Sequence, residues 1–314
     1  MALAIELQPR ESYGKALAEL GAQDPAIVVM DADLSSSTQT KIFAGAFPER
    51  FFNVGLAEQN MMGIASGLAA SGKTVFVSTF AVFATCRCFD QLRMAIGQPN
   101  LNVKVVATHG GITVGEDGSS HQAVEDLALA CSLPSFTVIV PADSEETTQA
   151  IRVAAATKGP FYIRLPRAKV PQVCPAGHCF SLGRASVMRK GNDATVVATG
   201  IMVARAMEAA DNLLKRGIDT RVLNMATIKP LDEESIVSAA RETGAIVTAE
   251  EHLEQGGLGA RVSQVVAREA PTPVLSVALK GYAKSGKAEE LLVKYGLTAA
   301  EIEKAVLAAV ARKR

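Results

Sequence analysis

The chain has 314 residues, 32 basic and 32 acidic side chains and 48% hydrophobic content, enough for two ordinary domains, each able to bury its own core. A formal net charge of zero leaves no excess to condense on a polyanion, which argues against nucleic-acid binding as the main role. The moderate 25 glycines and 13 prolines, with no low-complexity tract, exclude wholesale disorder.

The opening MALAIELQPRESYGK lacks a basic region followed by an apolar one, so no signal peptide is read there. The most apolar stretches, around Thr74–Phe83 and Asp193–Ala204, are interrupted by Ser, Thr and Gly, short of the ~20 residues of a membrane span. Cys86, Cys88, Cys131, Cys174 and Cys179 are too few and too unevenly spaced for a disulfide scaffold. A cytoplasmic protein in a reducing compartment, with no membrane association, is the expectation.

In chain order, strands are expected at Ala26–Asp33, Thr74–Phe80, Asn102–His109, Phe136–Ala142 and Phe161–Leu165. They are apolar along their length, as strands covered on both faces are. Helices are expected at Arg10–Gly21, Ala57–Ala70, Asp90–Ile96 and Ser144–Thr157, and the alternation predicts a parallel sheet with right-handed crossovers. Ala168–Leu182 (AKVPQVCPAGHCFSL) carries two prolines and no periodicity, which marks a linker. A second α/β unit follows. Strands fall at Asp193–Thr199, Arg221–Met225 and Ala245–Glu250. A helix at Met202–Arg216 places Ala206, Ala210, Leu213 and Leu214 on one face and stops at Gly217. The last helix opens on a Thr298–Glu301 capping box and turns Ile302, Val306 and Val310 inward. The reading is thus an α/β fold of two domains with mainly parallel sheets: residues 1–168, a linker at 169–185, and residues 186–314.

Three stretches carry residues of chemical interest. In NVGLAEQNMMGIASG (Asn53–Gly67), Glu58 stands at a helix entry, ordinarily a surface acid offsetting the helix dipole. Its apolar flanks, with Gly63 and Gly67, also suit a buried carboxyl whose raised proton affinity serves proton shuttling. In TFAVFATCRCF (Thr79–Phe89), Phe80 and Phe83 share a helical face, either as core or as an aromatic wall for a planar heterocycle. THGGITVGEDGSSHQ (Thr108–Gln122) holds four glycines, two of the four histidines and a Glu-Asp pair just after a strand, where α/β proteins bind ligands. Cys174, His178 and Cys179 offer only three potential ligands on a linker, short of a convincing metal set. No GxGxxG or GxxxxGK[ST] occurs.

Together these stretches resemble the transketolase family of thiamine-diphosphate enzymes, specifically its C-terminal half, over nearly the whole chain. DADLSSS (Asp31–Ser37), NVGLAEQNM, STFAVF (Ser78–Phe83), GEDGSSHQ (Gly115–Gln122) and FYIRLPR (Phe161–Arg167) occur in the family's order. IKPLDEE (Ile228–Glu234), EEHLEQGGLG (Glu250–Gly259) and GYAKSGKAEELLVKYGLT (Gly281–Thr298) follow. The resemblance implies that Glu58 hydrogen-bonds the cofactor's aminopyrimidine and promotes the proton transfer that activates the thiazolium. It further implies that Phe83 stacks on that ring beside Phe80, and that Asp33 and Leu34 lie near the thiazolium. His121 then lies by the reacting carbons, Asp117 reads a substrate hydroxyl, and Arg10, Ser37, His109 and Arg167 clamp a sugar phosphate.

Two departures stand out. Where the family often has a further aromatic after Phe83, this chain has Ala84-Thr85-Cys86-Arg87-Cys88, with Phe89 as the substitute to be tested. The family's diphosphate-binding domain, with its metal and GDG-type motif, has no counterpart here. A partner subunit carrying that domain and a divalent cation, magnesium or calcium, is therefore expected, in an α2β2 assembly, with no metal ligands from this chain. The function implied is ketol transfer between sugar phosphates. A 2-oxoacid dehydrogenase beta-like subunit, a deoxyxylulose-phosphate synthase-like subunit and a non-catalytic binding subunit are the alternatives.

Overall fold

A computed structural model describes residues 6–313. Its larger sheet has seven strands in the order Thr227–Lys229, Thr137–Ile139, Phe161–Arg164, Val103–Thr108, Thr74–Phe80, Ile27–Asp31 and Phe51–Asn53. All neighbours are parallel except the first pair. Ile27–Asp31 and Val103–Thr108 are buried at every position, because helices cover both sheet faces. On one face, the helices Pro9–Gln23 and Ser144–Ala156 enclose Tyr13, Leu17, Phe43, Phe76 and Ile151. The helix Glu58–Ala70 covers the other, burying Glu58, Met61, Met62, Ala65 and Ala69, a stripe at helical spacing.

The second sheet has five strands in the order Val274–Leu279, Ile246–Leu253, Ala194–Ala198, Thr220–Asn224 and Ser186–Arg189, with the last antiparallel. The helices Met202–Leu214 and Ala299–Val310 pack on one face of it. Two α/β units with mainly parallel sheets are thus present. Their cores are not separate, however. Met30, Val77 and Val105 of the first unit share one buried cluster with Ile228, Ile236, Leu258 and Val262 of the second. The reason is geometric: the chain returns after residue 226 to add Thr227–Lys229 to the first sheet.

Several local expectations need correction. Leu214 is 50% exposed, because the helix ends there and its apolar face closes on Leu213. Val310, the last helical residue, packs against the core as expected but is only half-buried, and Ala309 beside it is fully buried. Of the capping box, Thr298 Oγ1 accepts from Glu301 N at 3.3 Å, while the Glu301 carboxylate turns to Lys304. The segment expected as a helix at 90–96 is a wide, π-type turn over Gln91–Gly97. Among the described residues, no helix is long and apolar enough to cross a membrane.

Candidate active site

Six neighbouring strands of the first sheet run in the same direction, so their carboxyl ends open onto one edge. Each candidate loop leaves from such an end. Ile27–Asp31 leads to Asp33 and Leu34, and Phe51–Asn53 to Glu58. Thr74–Phe80 leads to Phe83, Val103–Thr108 to His109 through His121, and Phe161–Arg164 to Arg167. A groove lined by Met94, Gly97, Leu133 and Pro134 lies where loops enter the sheet, at the opposite end from these residues.

Glu58 begins its helix and is 3% exposed, which rules out an ordinary surface acid. Its Oε1 accepts from Arg87 Nη1 at 2.7 Å. The Arg87 guanidinium also lies 4.3 Å from the centroid of Phe83. A wide π-type turn over Phe83–Arg87, of a kind often found at functional sites, carries both side chains. Phe80 and Phe83 stack at 5.9 Å with planes 17° apart, and His121 meets Phe83 edge-on at 5.3 Å. Phe89 does not extend this wall, since it packs against the central core. Arg87 covers the ring in its place.

His109 stacks on Phe80 at 3.8 Å, and its Nδ1 meets Thr108 Oγ1 at 2.8 Å. Burial above all, then the positive fields of Arg10 and Arg167, lower its pKa to about 3. It is therefore neutral near pH 7. Arg10 donates to Ser37 O at 2.6 Å, and burial and Arg167 lower its own pKa. Arg167 donates to Val114 O and stands 3.9 Å from Asp117. His121 Nδ1 meets Ser120 Oγ at 3.0 Å. Contacts thus run as a strip from His109 to Phe80, to Phe83 and through Arg87 to Glu58, while Arg10, bonded to Ser37 O, and Arg167 stand close enough to lower the His109 pKa. Asp33 and Leu34 flank it: Asp33 sits at φ 65° and accepts from Asn53 Nδ2, while Leu34 O accepts from Ser37 N.

The supports of this strip come from residues that local patterning does not single out. Buried Asp31 accepts from Leu34 N, Thr38 Oγ1 and Thr40 Oγ1, which fixes the Asp33–Ser37 loop. Burial raises the Asp31 pKa against those bonds. Arg164 donates to the carbonyls of Ala123 and Glu251, and its Nε faces Asp126 Oδ2 at 3.1 Å without an aligned hydrogen bond. The Glu251 carboxylate accepts from Thr113 N. The second domain therefore holds the His109 loop from beneath. Gly111, at φ 79°, lies so close to Glu251 that an added Cβ would stand 2.0 Å from the carboxyl carbon. That contact explains why a glycine follows the histidine loop.

The chemistry of the Glu58 corner suits a flat, hydrogen-bonding heterocycle, because it pairs an aromatic face, Phe83, with a buried acceptor, Glu58, and Arg87 touches both. The side-chain set further along, two guanidiniums, a hydroxyl and a neutral histidine, suits a phosphate. Cys179 is exposed, its Sγ directed to Gly177 O, whereas Cys174 and His178 gather instead around Glu146.

Comparison with known proteins agrees with this geometry. Residues 6–172 match the transketolase pyrimidine binding domain, and residues 183–302 the transketolase C-terminal domain. A Methanocaldococcus jannaschii protein named as the C-terminal section of a transketolase is 45% identical over 95% of both chains. Transketolase-like protein 2 of Mus musculus is 43% identical over 95% of this chain, which spans only 48% of that protein. A solved split-gene transketolase, described as an inactive beta4 tetramer, superposes with a TM-score of 0.93 at 52% identity, over 98% of this chain and 100% of that one. The chain belongs to the transketolase family, of which it carries the pyrimidine-binding and C-terminal domains.

Proposed function

We propose that this chain is the C-terminal-half subunit of a two-chain cytoplasmic transketolase, moving a two-carbon ketol unit from a ketose phosphate to an aldose phosphate. The observation that carries the reading is the buried Glu58 near the Phe83 ring, with the Arg87 guanidinium in contact with both. Thiamine diphosphate, when bound, supplies the carbon nucleophile and electron sink for such a transfer. Residues 1–168 form the pyrimidine-binding half, 169–185 the linker and 186–314 the C-terminal domain.

Each role rests on this chain's own groups. Glu58 shares a proton with the ring nitrogen it faces, and the sparse water around it keeps that exchange local. Phe83 and Phe80 hold the ring plane, and Asp33 and Leu34 line the thiazolium side. His121, on the edge of Phe83, exchanges protons with substrate, and Asp117 reads a hydroxyl. Arg10 and Arg167 supply the clamp's positive charge, because His109 stays neutral and acts with Ser37 by hydrogen bonding alone. The diphosphate and its magnesium or calcium ion belong to a partner subunit bearing the N-terminal half, in an α2β2 complex. The relatives that this chain covers over 95% and 100% of their length, a C-terminal section and a split-gene chain, support that division. The phosphate clamp with Asp117 favours sugar phosphates over the lipoyl acceptors of a 2-oxoacid dehydrogenase.

The test is a native pull-down of tagged chain from its source cells, with the mass of the eluted complex, followed by assay with ketose phosphate, ribose 5-phosphate and thiamine diphosphate. A stoichiometric second chain and ketol transfer are expected. Recovery of this chain alone, or a complex inactive with every sugar phosphate, would replace this reading with a non-catalytic binding subunit.

A further inference from the structure

Where the chain leaves the first domain, three potential ligands of different chemistry converge. Glu146 comes from the helix Ser144–Ala156, and Cys174 and His178 from the segment Cys-Pro-Ala-Gly-His-Cys. A carboxylate oxygen, the thiol sulfur and a ring nitrogen lie within 4.8 Å of one another. The side chains of Glu146 and His178 are 1% and 6% exposed, and Cys174 is buried. We propose that this cluster is a zinc site, which fastens the interdomain segment to the first domain with Glu146 Oε1, Cys174 Sγ and His178 Nε2 as ligands and solvent in the fourth position.

Three observations carry this. His178 Nε2 stands 3.3 Å from Glu146 Oε1, long for a charge-assisted pair, which closes to about 2.7–2.9 Å. It equals the edge of a tetrahedron whose Zn–N and Zn–O arms are about 2.0–2.1 Å. Local charge also calls for a cation: Asp143 and Glu146 are both fully buried, Asp143 Oδ2 accepting from Cys174 N at 2.7 Å and Glu146 lying against the thiol. Asp143 is already used, accepting from the backbone N–H groups of Glu146, Val173 and Cys174. Finally, Asn224 reaches in from the second domain and donates to both Glu146 oxygens, while its own buried Oδ1 has no hydrogen-bond partner. A carboxylate, a thiol and an imidazole together suit a borderline-soft ion such as Zn²⁺ rather than magnesium or calcium. Binding displaces the thiol proton of Cys174, and that of His178 when the ring is charged, to solvent.

Without a metal the same groups form a His178–Glu146 ion pair beside a protonated thiol, and the experiment separates the two. Full-length chain is stripped with a chelator and titrated with Co²⁺ alone. The expected result is a thiolate-to-cobalt charge-transfer band saturating at one equivalent and bleached by Zn²⁺. Cys174→Ser loses the band, and Cys179→Ser keeps it. Zn²⁺ should also raise the Tm of the wild-type chain, reversibly with chelator. A wild-type chain with no band and no Tm response at excess metal would overturn the site. So would a band that survives both Cys174→Ser and His178→Gln. Should Cys174→Ser fail to fold, His178→Gln and the wild-type titration decide alone.

Discussion

Two buried glutamates, one in each domain, sit at helix N-termini and are held in opposite ways. Glu250 accepts from Leu258 N and Gly259 N, both at 2.7 Å, and a Cβ on Gly257 would stand 2.1 Å from its carboxylate. Backbone and packing enclose it completely, and burial foremost raises its pKa. Glu58 is as deeply set, but its carboxylate is held by Arg87, a side chain 49% exposed. A carboxylate locked by backbone amides caps a helix. One held by a side chain with room to swing away is available to a ligand.

The largest effect that tests this contrast is on turnover. Glu58→Gln in the reconstituted two-chain complex should lower ketol transfer by about 10²–10⁴-fold, the range of a lost acid–base group, with Tm little changed. Turnover within tenfold of wild type would remove Glu58 from proton transfer. Glu250→Gln reverses the pattern. It sets an amide NH2 against one of two buried backbone donors, and a urea titration should show a loss of about 1–3 kcal/mol. An unchanged midpoint would mean that the cap is dispensable.

The third comparison uses pH. His109 has a folded pKa of about 3, below the ordinary ~6.5 of an unfolded chain, so the unfolded state binds the extra proton. Stability is therefore complete above ~6.5 and falls as pH drops through that value toward 3, by about 2 kcal/mol between pH 7 and pH 5. Urea midpoints at these two pH values should converge in His109→Gln relative to wild type. An equal fall in both proteins would place the acid sensitivity elsewhere. The smallest effect belongs to Arg87→Ala, which breaks a half-exposed ion pair and should change stability by less than about 1 kcal/mol. A loss as large as that of Glu250→Gln would erase the distinction between the two glutamates.

What could be read in advance divides along the same line. The strand–helix alternation and the loops after strand ends were legible, because period and turn chemistry are local. Glu58, Phe83, His109 and Arg167 were legible through an ordered series of motifs. The partners of those residues were not. Arg164 and Glu251 are 87 positions apart and Glu251 and Thr113 are 138, so no local pattern marks them. Arg87 stood out only as a break in an aromatic run, and its placement over Phe83 depends on the width of one π-type turn. Phe51–Asn53 and Thr227–Lys229 are three residues each, too short to show a period. The linker cysteines looked insufficient for a metal because Glu146, the third member, lies 28 positions before Cys174.

The strand Thr227–Lys229 has a consequence for how the protein is made. It pairs with Thr137–Ile139, which emerges from the ribosome roughly 90 residues earlier. At about 5–20 residues per second, that edge waits some 5–18 s with its backbone donors and acceptors unpaired. The nascent first domain then presents an open sheet margin to neighbouring chains, until the second domain is partly synthesised and closes it. Synthesis of residues 1–168 alone would make that waiting state permanent, and aggregation rather than a soluble half is its expected fate.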